Sequence, residues 1–120
     1  MGKNDRKLIG GAGEDIACRY LEENGFEVVD RNWRTRSGEL DIIARRGGMV
    51  VFVEVKTRRS RTFGEPEEAV TPAKARKIRQ LASEYLATVS HSAEVRFDVI
   101  SLLLDAEGNP LELRHITNAF

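Results

Sequence analysis

The sequence predicts a single α/β domain: a mixed sheet of about five strands flanked by helices, in the order α-β-β-β-α-β-β. Three observations predict it. Two long segments, about residues 6–23 and 72–89, repeat apolar residues at helical spacing. Five shorter segments read as strands set off by turn residues such as Gly, Pro, Asn or Asp. No repeat, low-complexity tract or linker divides the 120 residues, so residues 1–120 are expected to share one core.

The first helix carries Ile9, Ala12, Ile16, Ala17, Tyr20 and Leu21 on one stripe, and Asn24-Gly25 is its natural stop. Gly10, Gly11 and Gly13 are poor helix formers, each worse than Ala by roughly 1 kcal/mol in a helix interior. Either the helix begins after residue 6, or another part of the chain approaches it closely there. Residues 26–34 read as a strand. Residues 39–46 and 49–57 read as a hairpin turned at Gly47-Gly48, a pair suited to positive φ. Residues 58–70 read as a charged loop broken by Gly64 and Pro66. Thr71-Pro72 then supplies an N-cap and a proline at the first helical position. The helix that follows presents Ile78, Leu81, Ala82, Tyr85 and Leu86 and is expected to end near Val89. Residues 94–104 form a strand, 105–110 a turn and 111–116 a short last strand.

Composition excludes several classes. Hydrophobic residues make up 41% and charged residues 32%, as in ordinary globular proteins. No apolar run approaches the roughly 20 residues that span a bilayer, and no membrane role is expected. The N-terminal stretch lacks the pattern of a secretory signal, and the lone Cys18 forms no disulfide within the chain. A cytoplasmic location is expected. Lys plus Arg and Asp plus Glu balance at 19 each, so net charge does not point to nucleic acid. The basic residues are clustered, however, at Arg31, Arg34 and Arg36, at Arg45 and Arg46, at Lys56, Arg58, Arg59 and Arg61, and at Lys74, Arg76, Lys77 and Arg79. Such runs serve either as solvated surface or as phosphate contacts.

The hairpin GELDIIARRGGMVVFVEVKTR carries the chemistry. A turn centred on Gly47-Gly48 sets Asp41 opposite Glu54 and Glu39 opposite Lys56. Alternation then sends all four side chains to one face and leaves Leu40, Ile42, Ala44, Val51, Val53 and Val55 as core on the other. Two carboxylates facing each other across a strand pair repel by a few kcal/mol. Either one of them keeps its proton, or a cation sits between them. A hard divalent ion answers both needs with oxygen ligands, and Mg²⁺ takes one or two carboxylates plus phosphate oxygens. Lys56 would stand beside such a site as a point charge, orienting water or stabilising a developing oxyanion. The residue types fit metal-assisted phosphodiester hydrolysis. The bland alternative is a charged strand pair with a Glu39–Lys56 ion pair.

Asp41 followed by Glu54-Val55-Lys56 on the next strand resembles the D…(D/E)-x-K signature of restriction-endonuclease-like nucleases. The stretches GGAGEDIACRYLEENGFEVVDRNWR, GELDIIA, VFVEVKTR and RFDVI resemble the YraN family of bacterial proteins, itself similar to archaeal Holliday-junction resolvases. They cover about residues 10–100. The resemblance implies the restriction-endonuclease-like fold and a Mg²⁺ or Mn²⁺ site at Asp41 and Glu54, with a backbone carbonyl ligand from Val55. It also implies Lys56 as the catalytic lysine, and Glu14 in the place of a helix-borne acid that often completes the site. Leu40 stands before Asp41 where the signature often has proline. The implied activity is a metal-dependent endonuclease acting on DNA, including branched DNA, with a homodimer to cut two strands. A module that keeps the fold and binds nucleic acid without cutting, and an assembly partner, are the other readings.

Arg58, Arg59 and Lys74 are the expected phosphate contacts, Lys74 the first to test. Glu39 is open between a place beside the metal and a pairing with Lys56. Trp33 either stacks on a base or is a half-buried strand aromatic. Asp98, in VRFDVISLLL, either supports the site from a neighbouring strand or belongs to a turn or edge strand. His91 and His115 lack metal-ligand spacing, and Cys18 reads as a buried helix residue. Gly10, Gly11 and Gly13 are not a phosphate-binding loop, since no Gly-Lys-Ser/Thr follows.

Overall fold

Helix α1 (Ala12–Glu23) takes Gly11 as its N-cap and turns Gly13, Ala17, Cys18 and Leu21 inward. It stops at Asn24-Gly25 as expected. Gly25 adopts a φ of 87°; its N–H donates to the Glu22 carbonyl at 3.2 Å, and that of Phe26 to the Leu21 carbonyl at 2.9 Å. These crossed bonds satisfy carbonyls that a helix end leaves over, and Leu21 and Phe26 enter one cluster beside them. The computed structural model describes residues 11–59, 70–89 and 94–120. Residues 6–10 of the expected first helix, residues 60–69 of the charged loop (with Arg61, Gly64 and Pro66) and His91 lie outside the described residues.

Strands β1 (Glu27–Thr35), β2 (Gly38–Arg46), β3 (Met49–Arg58), β4 (Glu94–Leu104) and β5 (Pro110–Ile116) form one sheet in the spatial order β1-β2-β3-β4-β5. Only the β3–β4 pairing is parallel; the other three are antiparallel. Helix α2 (Pro72–Leu86) lies between β3 and β4 in the chain, as a parallel connection requires. The Thr71 hydroxyl accepts the Lys74 N–H at 3.1 Å and Pro72 opens the first turn, as the sequence predicts. The helix ends at Leu86, short of the expected Val89. There the Thr88 N–H and hydroxyl both donate to the Tyr85 carbonyl, at 2.9 and 2.7 Å, and turn the chain away. Among the described residues no helix is long and apolar enough to cross a membrane.

The helices cover opposite faces. Ala17, Cys18 and Leu21 of α1 pack with Ile42, Ala44, Val51, Val53, Ile100 and Leu102, whereas Ile78, Leu81, Ala82 and Tyr85 of α2 pack with Leu40, Ile43, Val50, Phe52 and Phe97. Alternate residues of β3 thus enter alternate cores. This corrects the expected division into one apolar and one charged face. A strand with a parallel neighbour and a helix on each side is apolar on both faces, and charge is confined to its end. Leu40 belongs to the α2 side, not with Ile42 and Ala44. Trp33 is a half-buried strand aromatic, its ring edge-on to Tyr85 at 5.5 Å.

Between β2 and β3 the hairpin keeps the expected register from Arg46↔Met49 to Ile42↔Val53, with Gly47 at a φ of 60°. Beyond Ile42 the two strands part. The first residues of β2 pair only with β1 (Trp33↔Leu40, Arg34↔Glu39, Thr35↔Gly38), and β3 from Glu54 to Arg58 pairs only with β4. The sheet forks. Asp41 and Glu54 stand on the two prongs and are not the direct backbone partners that an unbroken ladder predicts.

Candidate functional site

Asp41 sits where the prongs separate. Its Oδ2 accepts the Val55 N–H at 2.9 Å, so a side chain from β2 occupies a position that a backbone carbonyl would fill in a continuous ladder. Burial and then the charge of Glu54 push the Asp41 carboxyl up to about 7, with the Val55 N–H opposing them. Glu54 is only 9% exposed, although it lies in a charged strand end. Two ammonium groups converge on its Oε2: Lys74 Nζ at 2.6 Å and Lys56 Nζ at 3.8 Å. Sequence reasoning left a proton and a cation as alternative answers to the carboxylate repulsion. The site uses both, a retained proton affinity on Asp41 and a lysine on Glu54.

The two lysines respond in opposite directions. Burial, and then the adjacent Lys74 ammonium, lower the proton affinity of Lys56. Burial also acts against the charge of Lys74, but the Glu54 carboxylate outweighs it, and Lys74 ends above the ordinary lysine value. Lys74 is the expected phosphate contact; with no nucleic acid present its ammonium rests on Glu54. The signal lay in its helix position. A lysine three residues after the N-cap opposes the helix dipole, where an acid is favoured, so a buried anion was the partner to seek.

Glu14, in the first turn of α1, is near enough for its charge to raise Asp41 further, but it is held from elsewhere. Asn32 Nδ2 donates to both its oxygens, at 3.0 and 3.3 Å, and Arg31 Nη2 lies 3.6 Å away. Asn32 makes this contact from a φ of 52°, a conformation asparagine tolerates better than most residues. Sequence reasoning missed Asn32. Among the described residues, no three His, Cys, Asp or Glu side chains form a ready-made ligand group, so Glu14 is a neighbour of the pair and not a third member in contact. Glu39 does not take the expected pairing with Lys56, because β1 and not β3 is its partner strand there: it pairs with Arg34 at 3.0 Å.

Gly13 explains the odd glycine. A Cβ there would collide with the Thr57 side chain and crowd Leu102. Its absence lets the start of α1 settle on the ends of β3 and β4, bringing Glu14 towards the fork. Arg58 ends β3 opposite Leu103. Arg59 lays its guanidinium on the β4–β5 turn, with Nη1 donating to the carbonyls of Asp105 and Ala106 at 3.1 and 3.4 Å.

A second polar group lies apart from the fork, on the α1 side of the sheet. Asp98 is 0% exposed in the middle of β4, which corrects its expected place in a turn or edge strand. Its Oδ1 accepts from Arg96 Nε at 2.9 Å and from the Asn118 N–H at 3.0 Å; its Oδ2 meets Arg96 Nη2 and His115 Nε2, each at 2.8 Å. His115 Nδ1 meets the Tyr20 hydroxyl at 2.9 Å. Burial alone would raise Asp98, but His115, Arg96 and the Asn118 N–H together hold it below the ordinary carboxylate range. His115 is thus a half-buried partner of Asp98; Cys18 is, as expected, a buried free thiol in α1.

The family model described as "Uncharacterised protein family UPF0102" matches residues 13–102. The chain belongs to the UPF0102 family. This is the YraN family that the sequence motifs resemble. The matched span opens at Gly13 and holds Asp41, Glu54, Lys56, Lys74 and Asp98. A UPF0102 protein of Rhodococcus opacus is 50% identical over 113 residues, covering 93% of this chain and 95% of that relative. One from Desulforamulus reducens is 46% identical over 117 residues (95% and 96%), and one from Geobacter sulfurreducens 45% over 120 residues (99% and 93%). The matches to these UPF0102 relatives therefore run over nearly the whole length of the chain.

Proposed function

We propose that this UPF0102 protein is a Mg²⁺- or Mn²⁺-dependent endonuclease that hydrolyses phosphodiester bonds of DNA, branched or otherwise structured DNA among its substrates. The observation that carries the reading is the fork itself: a half-buried Asp41 and a buried Glu54 stand near each other at its mouth, and Asp41 is driven up to about 7. Paired carboxylates are hard oxygen donors that suit a divalent ion. Asp41 and Glu54 would hold it, with the Val55 carbonyl as the further donor that the resemblance to restriction-endonuclease-like nucleases implies. Glu14 adds negative charge from the helix beside them. When bound, such an ion makes water more acidic and offsets phosphate charge.

The chain's own residues supply the rest. Lys56, whose proton is held less tightly than in an ordinary lysine, steers the attacking water and donates towards the oxygen on which charge develops. Arg58, Arg59 and Lys74 serve the phosphate backbone. Such contacts fix position and carry little base information, which suits recognition of shape over sequence. A homodimer would present two sites to two strands. The buried thiol of Cys18 fits a reducing cytoplasm.

Incubation with plasmid, linear, single-stranded and four-way-junction DNA in Mn²⁺ tests the reading, with Lys56→Ala run alongside. Cleavage by the wild type and none by the variant, with DNA still bound, supports it. The second reading, a non-cleaving nucleic-acid-binding module, is favoured by one observation: Lys74 already neutralises Glu54. Binding to all four substrates without cleavage would select that module, and no binding at all would remove both.

A further inference from the structure

Resting on the reading of Asp41 and Glu54 as a divalent-ion site, we propose that Lys74 is the resident cation of that site, which the metal must displace and which then engages the DNA phosphate. Lys74 would thereby couple metal binding to nucleic-acid binding.

Three features of the fork lead there. Lys74 and Lys56 approach the same oxygen, Glu54 Oε2, and Lys74 is the one in direct contact, at 2.6 Å against 3.8 Å. A divalent ion brought to Glu54 would meet both ammonium groups at short range and be repelled by each, so one has to move. Lys74 is the one with room to leave. Its side chain is 38% exposed against 24% for Lys56, and it rises from the first turn of α2, whereas Lys56 is fixed in β3.

Lys74 is also misplaced as a surface residue. The N-terminal turn of a helix repels a cation and attracts an anion. Once Glu54 is taken by a metal, the ammonium loses the partner that offsets this repulsion, and a phosphate oxygen near the same helix terminus is a suitable replacement. The exchange is reciprocal. A metal frees Lys74 for phosphate, and a phosphate that holds Lys74 frees Glu54 for the metal, so each ligand tightens the other by the same factor. Without DNA, the fraction of molecules with Glu54 free scales down the apparent metal affinity.

Calorimetric titration with Mn²⁺ of wild type, Lys74→Met, Lys74→Gln and Asp41→Asn tests this without reference to cleavage. Lys74→Met and Lys74→Gln should bind Mn²⁺ about tenfold more tightly than wild type, and Asp41→Asn should lose most binding. In Ca²⁺ titrations, a short DNA duplex should tighten the wild type and leave both Lys74 variants unchanged. Equal or weaker Mn²⁺ binding in the Lys74 variants, with wild type binding and Asp41→Asn failing, would overturn the exchange and leave the metal site standing. Absence of binding in every protein would remove the metal site, and the exchange with it. NMR of the wild type covers variants that fail to fold. The Lys74 Cε resonance should move on addition of Mg²⁺, and an unmoved resonance at saturating Mg²⁺ overturns the proposal.

Discussion

Asp41 on β2 bonds through its carboxylate to the backbone N–H of Val55 on β3, at the point where these strands stop pairing. One side chain therefore both closes the fork and supplies its negative charge. The two roles separate by substitution. Asp41→Asn keeps an oxygen for the Val55 N–H and removes the charge, so it should fold while losing divalent-ion binding and cleavage. Asp41→Ala leaves that N–H without its partner and should also lose about 1–3 kcal/mol of stability. Denaturant unfolding beside metal titration distinguishes the two variants.

The pH dependence of the metal-free protein follows from the same group. Asp41 sits near 7 when folded and at 3.8 in its reference state, so across that interval the folded chain holds a proton that the unfolded chain has released. Its contribution is complete below about pH 4 and is lost as pH rises through 7, roughly 4 kcal/mol in total. Unfolding in EDTA should show this decline between pH 5 and 8, and Asp41→Asn should flatten it. Saturating Mn²⁺ should restore stability at pH 8 by binding the ionised form.

Lys56→Ala should cut turnover by about 10²–10³-fold, the range for removal of one transition-state donor, and leave DNA affinity within about threefold. Filter binding in Ca²⁺ and cleavage in Mn²⁺ on the same junction measure both. A parallel fall in binding would assign Lys56 to holding DNA.

Asp98 predicts a stability effect without a catalytic one. Removing it leaves Arg96 and His115 facing a buried gap, so Asp98→Ala should cost about 3–5 kcal/mol. Because its folded value lies below the unfolded one, the stability it gives is present above about pH 4 and is lost as pH falls further. Urea midpoints at pH 7 and pH 3 should differ less in Asp98→Ala than in wild type, and cleavage per folded molecule should be unchanged.

Gly13→Ala sets propensity against packing. Alanine improves the helix by roughly 1 kcal/mol, yet its methyl meets Thr57, where overpacking costs typically 1–3 kcal/mol. Net destabilisation is expected. Thr57→Ala in the same chain should restore much of the loss, and a double-mutant cycle on thermal midpoints reads that coupling.

Local signals were legible and long-range ones were not. Asn24-Gly25, Gly47-Gly48 and Thr71-Pro72 each act through the conformation of one or two residues, so the elements they bound stand close to where the sequence places them. The turn also set the hairpin register correctly up to Ile42↔Val53. The fork escaped because alternation presumes a continuous ladder, and nothing local announces that β2 follows β1 while β3 follows β4. That Asp41, Glu54 and Lys56 lie near one another was legible because they share the hairpin. The Lys74 contact was missed because it joins α2 to β3. The setting of Asp98 was missed because its histidine comes from β5, and that histidine's other partner, Tyr20, comes from α1.

The parallel join of β3 to β4 has a kinetic consequence. It brings residues 49–58 beside residues 94–103 at the centre of the sheet. As the chain leaves the ribosome, α1 and the first three strands can assemble with near neighbours, while the far edge of β3 waits for a segment made much later. That edge is rich in valine and carries Phe52, the kind of open border that recruits other chains. Pairing across so long a stretch of chain slows folding and lengthens the time for which that border stays open.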